Sequence, residues 1–361
     1  MRIVAAFSQS YSEAREKFRE AATAAGANLK ALPHPSTGPG GEPLAMDVAW
    51  IGPRDASRVL VLTSGTHGIE GYGGSGLQVA WLREGRAAAL PSDAAVLLVH
   101  GVNPHGFAWS RRVNEDNVDL NRNFIDHDRE PPRNDGYAEL ADAIKPIAWD
   151  EASLATAQRV LEDFIARHGV RAFQQAATGG QYSHPDGIFY GGRAPTWSNR
   201  TLRRLVRDEL SGARRIAVAD FHTGLGPFGH GEIISPAAPG SPGAARAVAW
   251  FGAEAKSPDE GTSASAAVVG VLVDAFPQEA PGAEVTSIGL EFGTHPILEV
   301  LHALRQDNWL HAHGDPTSAQ GRDMKAYIRE RFYPADDRWK DLVWARADEV
   351  VGRTLRAVTA S

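Results

Sequence analysis

His67 and Glu70 stand three residues apart in the stretch "VLTSGTHGIEGYGGSGLQ", which begins at Val61 and runs from an apolar segment into glycines. An imidazole nitrogen and a carboxylate oxygen are ordinary zinc ligands, and a short turn after a strand can aim both at one point. Gly65, Gly68 and Gly71 permit the tight backbone turns such a point would need. A third ligand is available in "VADFHTGLG", where His222 also follows an apolar run and precedes glycines. Two histidines and one glutamate leave a fourth coordination position for water, the pattern of a catalytic rather than a structural zinc site. Read singly, each residue has a plainer alternative: a solvated loop for His67 and Glu70, and a hydrogen-bonded strand-end histidine for His222.

Positioning these groups requires strands. "RVLVLTS" from Arg58, "AAVLLVH" from Ala94, "RRIAVADFH" from Arg214 and "VTSIGLEF" from Val285 read as strands, the first three buried on both faces of a sheet. Helical patterns lie between them. "SYSEAREKFREAATAAGA" carries Ser10 and Glu13 at capping-box spacing with Gly26 as a stop, and further helices are expected from Ser153 and from Ser198. Strands alternating with helices predict an α/β fold, a mixed, mostly parallel twisted sheet with helices on both faces, as a single domain over 1–361. Open sheets of this kind collect functional groups at the carboxyl ends of their strands, where His67, Glu70 and His222 could meet. "PHPSTGPGGEP" from Pro33 and "SPAAPGSPGAAR" from Ser235 read as long loops within that domain.

Composition narrows the function. The 361 residues carry a formal net charge of -7 and 43% hydrophobic residues, so no basic footprint points to nucleic acid or an anionic membrane surface. A small-molecule or peptide substrate fits better. With no cysteine, a metal site must be built from His, Asp and Glu. The sequence shows neither a secretory apolar segment near Met1 nor a run of roughly 20 apolar residues, which makes the cytoplasm the default expectation. The oligomeric state is not legible.

"NPHGFAWSRRVNEDNVDLNRNF", Asn103 to Phe124, completes a pattern: HxxE, an arginine followed by "DLNRNF", a strand-end histidine, then a strand-end glutamate in "SIGLEFGTHP". In that order the motifs resemble the zinc carboxypeptidase family and its relatives, the aspartoacylases and succinylglutamate desuccinylases. The chain looks like a bacterial branch typified by "SGTHGIEGYGGS", "DLNRNF" and "FHTGLG", and the motifs span Thr63 to Thr294. The resemblance implies one zinc ion held by His67, Glu70 and His222. It implies an oxyanion-stabilising role for Arg112, with Arg111 as its immediate neighbour, and a carboxylate grip from Asn121 and Arg122. Glu291 matches the general base. The activity implied is that of a carboxypeptidase-type metallopeptidase acting on amides with a free carboxylate, or of an N-acyl amino acid deacylase. A catalytically silent zinc-binding protein is a third reading, against which Glu291 and Arg112 stand.

One departure is plain: no tyrosine lies between His222 and Glu291, where carboxypeptidases keep a substrate-contacting one. Tyr72, Tyr182 and Tyr190 are the candidates to replace it. The insert "GGQYSHPDGIFYGGRAPTWSN" from Gly179 reads equally as a pocket rim or a packed structural loop, with His184 and Asp186 not needed as ligands. The segment holding His295, His302, His311 and His313 reads as a largely structural helix and loop.

Overall fold

A computed structural model describes residues 3–360, so Met1, Arg2 and Ser361, the ends of the expected 1–361 domain, lie outside the described residues. The strands are β1 (Asn28–Thr37), β2 (Pro43–Ile51), β3 (Arg58–Ser64), β4 (Ala94–His100), β5 (Arg215–Thr223), β6 (Gly231–Ile234), β7 (Ala255–Lys256) and β8 (Glu284–Phe292). They form one sheet in the order β1-β2-β4-β3-β5-β8-β6-β7. The central β4, β3, β5 and β8 run parallel, while β2 and β6 pair antiparallel with β4 and β8. The expected mixed, mostly parallel sheet is therefore present.

The strand interiors explain the helices on both faces. Leu60, Leu62, Val96, Leu98, Ala217 and Ala219 pack on one side, under helices Tyr11–Ala24, Gly71–Arg83 and Asp337–Thr359. Their alternating neighbours Val59, Val61, Ala95, Leu97, Ile216 and Val218 pack on the other, under Trp197–Leu210 and Ala275–Glu279. Because successive strand side chains point to opposite faces, a strand covered on both reads as a continuous apolar run.

The first helix starts where its cap predicts: Ser10 accepts from the Glu13 amide at 3.2 Å, and Gly26 follows the end with φ +72°. Two loop readings need correction. Pro33 and Pro35 lie in β1, an edge strand, where a missing amide hydrogen costs no inner ladder bond, and only the turn between Thr37 and Pro43 is loop. The stretch from Ser235 is loop only to Ser241, which caps helix Pro242–Phe251 with proline in its first turn. Among the described residues no helix is long and apolar enough to cross a membrane.

Candidate metal centre and active site

β3, β5 and β8 are neighbours and parallel, so their carboxyl ends open on the same edge of the sheet. His67 and Glu70 follow β3 on a short turn, His222 is the next-to-last residue of β5, and Glu291 stands opposite it in register on β8. The turn is held by a loop later in the chain, because the Ile69 amide donates to the Arg111 carbonyl at 2.7 Å and Gly68 to that of Arg112 at 3.1 Å. Gly68 is obligatory for this approach: a Cβ there would stand 2.0 Å from the Gly106 carbonyl carbon.

Ligand atoms of His67, Glu70 and His222 converge within 4.8 Å of one another, and all three residues are buried. Nδ1 of His67 lies 2.8 Å from Glu70 Oε1, and Nδ1 of His222 lies 2.9 Å from Glu70 Oε2. The far nitrogens are engaged elsewhere. Nε2 of His67 faces Asp119 at 3.1 Å and Nε2 of His222 faces Asp220 at 2.7 Å. Each imidazole thus sits between two carboxylates, with Nδ1 turned toward the common centre, the orientation that outer carboxylates impose on metal-binding histidines. Asp220 is fixed in turn by the hydroxyls of Thr63 and Thr66 at 2.6 and 2.9 Å.

The charge of the site also fits a bound cation. Glu70, Asp119, Asp220 and Glu291 are all buried, and among the described residues only the guanidiniums of Arg112 and Arg122 face them in the cavity. With the Glu291 carboxyl protonated and both imidazoles neutral, one negative charge remains, which a proton on His222 or a bound cation would offset. Burial would raise the Glu70 carboxyl, yet the two imidazoles outweigh it and hold it well below the usual carboxylate range. Burial likewise opposes protonation of His222, but Asp220 and Glu70 overcome it and raise its affinity for positive charge, proton or metal. The His67–Glu70–His222 group is suited to metal binding.

Arg112, not Arg111, faces this centre. Its Nε donates to Asp119 at 2.9 Å and its Nη1 to Glu70 at 3.1 Å, and the guanidinium lines the cavity beneath the Phe189 ring at 5.0 Å. Arg111 turns away to Asp307 and Asn117. Arg122 lines the same cavity, bonded through Nη1 and Nη2 to the carbonyls of Asn121 and Thr178 at 2.8 and 2.6 Å, with Nε buried and unpartnered. Arg122 forms no salt bridge with its near neighbour Asp119, which bonds Arg112 instead. Asn121 lines the cavity too, its Oδ1 accepting from the Leu272 amide and its Nδ2 lying 3.4 Å from His222 Nε2.

Glu291 accepts from the Leu225 amide at 3.0 Å. Burial, reinforced by the negative charge of Glu70, pushes its carboxyl up to about 8. The cavity that joins all these groups has a volume of about 150 Å³ and an apolar wall that includes Ile234, Val273, Val300, Leu301 and Leu304.

None of the candidate tyrosines lines it. Tyr72 bonds Ser110 and stacks on Tyr333, Tyr182 donates to the Arg122 carbonyl at 2.6 Å, and Tyr190 offers its own carbonyl to the Asp119 amide. The insert from Gly179 is a packed loop that supplies one cavity residue, Phe189; His184 bonds Ser183 and Asp186 pairs with Lys145. The histidine-rich segment forms helix Ile297–His313, and it is more than structural because its first two turns line the cavity. Sequence reasoning missed Asp119 and Asp220 as histidine partners. Asp220 precedes His222 by two residues on a strand, so both project from one face, a signal "DFH" did contain.

Residues 7–346 match the family model described as "Protein of unknown function (DUF2817)". The chain belongs to this family. No curated protein matches a DUF2817 chain of this sequence. Among solved structures the chain is similar to carboxypeptidase A from Helicoverpa armigera, at 13% identity over 98% of this chain and 74% of that one, with a TM-score of 0.47. It is also similar to the succinylglutamate desuccinylase from Chromobacterium violaceum, at 14% identity over 88% and 77% of the two chains, with a TM-score of 0.37. A third is murein-tripeptide amidase MpaA from Escherichia coli O157, at 16% identity over 86% and 94%, with a TM-score of 0.34.

Proposed function

We propose that this DUF2817 protein is a zinc-dependent amide hydrolase of carboxypeptidase type, acting on peptides or small amides that carry a free carboxylate. The observation that carries the reading is the shared cavity: a three-donor metal group, a buried glutamate beside it and a buried guanidinium without a carboxylate partner face one space. His67, Glu70 and His222 would hold the ion, which when bound supplies Lewis acidity toward a carbonyl and toward water.

The remaining work falls to the chain. Glu291, in its ionised form, takes a proton from the attacking water and passes it to the amide nitrogen as the C–N bond breaks, so that water plus amide gives a carboxylic acid and an amine. Arg112 has Nη2 free of protein partners among the described residues and lies where negative charge develops on the carbonyl oxygen. Arg122 and Asn121 anchor the substrate carboxylate, and the apolar wall accepts its neighbouring group. A second reading, an N-acyl amino acid deacylase, is favoured by the absence of any tyrosine from the cavity among the described residues.

Product mass spectrometry on zinc-loaded and metal-stripped protein separates these. The substrates are free-carboxyl peptides, their C-terminal amides and N-acyl amino acids. Zinc-dependent loss of single C-terminal residues supports the first reading and loss of acyl groups the second. No cleavage in the whole pool removes the claim of hydrolysis.

A further inference from the structure

The loop 110–119 carries both Arg112 and Asp119 to the site, and its backbone receives the amides of Gly68 and Ile69 from the ligand turn. Its own anchorage lies on the side away from the cavity. Ser110 and Asn117 adopt φ of +48° and +59°, conformations that non-glycine residues keep only when their surroundings hold them. What holds them is a buried ionic cluster. Asp307, on helix Ile297–His313, accepts from Arg111 Nε at 3.3 Å and from Lys325 on helix Ala319–Phe332, and Lys325 also donates to the Ser110 carbonyl at 3.2 Å. Arg111 Nη2 donates to Asn117 at 3.0 Å, and Asn117 donates to the carbonyls of Pro185 and Gly187, both at 3.0 Å. None of Arg111, Asp307 and Lys325 lines the cavity.

We infer that Asp307 is a positioning residue for the metal site, acting through Arg111, whose carbonyl fixes the turn between His67 and Glu70. Its carboxylate joins two helices to the loop that braces the turn between His67 and Glu70 and carries both Asp119 and Arg112. Loss of the carboxylate leaves the buried Arg111 and the half-buried Lys325 without their counter-charge, and the loop is then free to relax away from Gly68 and Ile69. The inference rests on reading His67, Glu70 and His222 as metal ligands.

The test is zinc affinity of the full-length protein by competition with a chromophoric chelator, together with the visible absorption of the cobalt-substituted protein. Asp307→Asn is expected to weaken zinc binding by about 10-fold or more, in the range of outer-shell losses, and to change the cobalt bands. Asp307→Glu is expected to recover part of that loss. Ile328→Val, in the core of the Lys325 helix, serves as the packing control and should leave both readouts unchanged. A folded Asp307→Asn protein with wild-type zinc affinity and cobalt bands overturns the inference. If Asp307→Asn does not fold, Arg111→Lys is read in its place by the same two criteria. Failure of the wild-type protein to bind zinc overturns the underlying site instead, and is seen before any variant is made.

Discussion

Oδ2 of Asp220 lies 2.7 Å from Nε2 of His222 while Nδ1 of the same ring lies 2.9 Å from Glu70. One strand therefore supplies both a candidate metal ligand and the group that orients it. Asp220→Asn should weaken metal binding by about 10- to 100-fold, with the fold retained because Thr63 and Thr66 can still bond the amide. Isothermal titration of the stripped protein with zinc measures this, and an unchanged affinity would remove Asp220 from the metal site.

Arg122 is the only cavity guanidinium without a carboxylate bond among the described residues. Arg122→Ala should lower kcat/KM on free-carboxyl substrates by about 100-fold, the order expected for a charge-assisted anchor of about 3 kcal/mol. The comparison that decides is the ratio of free-carboxyl to amidated substrate. If the variant leaves that ratio unaltered, the carboxylate is bound elsewhere.

His100, fully buried against the Phe18 ring with Ser75 on Nε2, is pushed down to about 4 by burial, which the nearby Asp47 only partly offsets. The unfolded chain takes up this proton near pH 6.5, before the folded one does. Stability is thus fully present above about pH 6.5 and declines as pH falls toward about 4, by on the order of 3 kcal/mol from this residue. Urea midpoints at pH 7 and pH 4.5 should fall further apart for the wild type than for His100→Gln. Equal falls would assign acid sensitivity to other groups.

Metal removal should destabilise the protein as well as silence it. Four buried carboxylates crowd the site against two guanidiniums, and an ion bound only to the folded state adds about 2.7 kcal/mol when present at 100 times its dissociation constant. Calorimetry with and without a chelator should show a lower Tm for the stripped protein, restored by zinc. A Tm indifferent to chelation would contradict the charge argument.

Much of this site is legible in the sequence, because its candidate ligands sit at or just beyond strand ends. The runs before His67 and His222 are apolar throughout, as only doubly covered strands are, and His67, Glu70, His222 and Glu291 do converge. Four edge or near-edge strands were not legible. β1 carries two prolines that an edge tolerates, and β6 and β7 are too short to show a period. Adjacent residues also diverge in ways spacing does not encode: Arg111 and Arg112 point to Asp307 and to Glu70 because a tight loop turns between them. Asp119 shows in the sequence only as the first residue of "DLNRNF", since its partner His67 lies far away along the chain.

Glu291 is proposed to perform the chemistry beside a metal it does not hold. Its carboxyl accepts from the Leu225 amide, and it is not among the three converging donors. The most direct measurement is turnover and zinc content of Glu291→Gln, assayed side by side with the wild type on the best substrate found. One equivalent of zinc should be retained and turnover reduced by about 100-fold or more, the range for loss of a general base. Wild-type turnover in the zinc-loaded variant would contradict it.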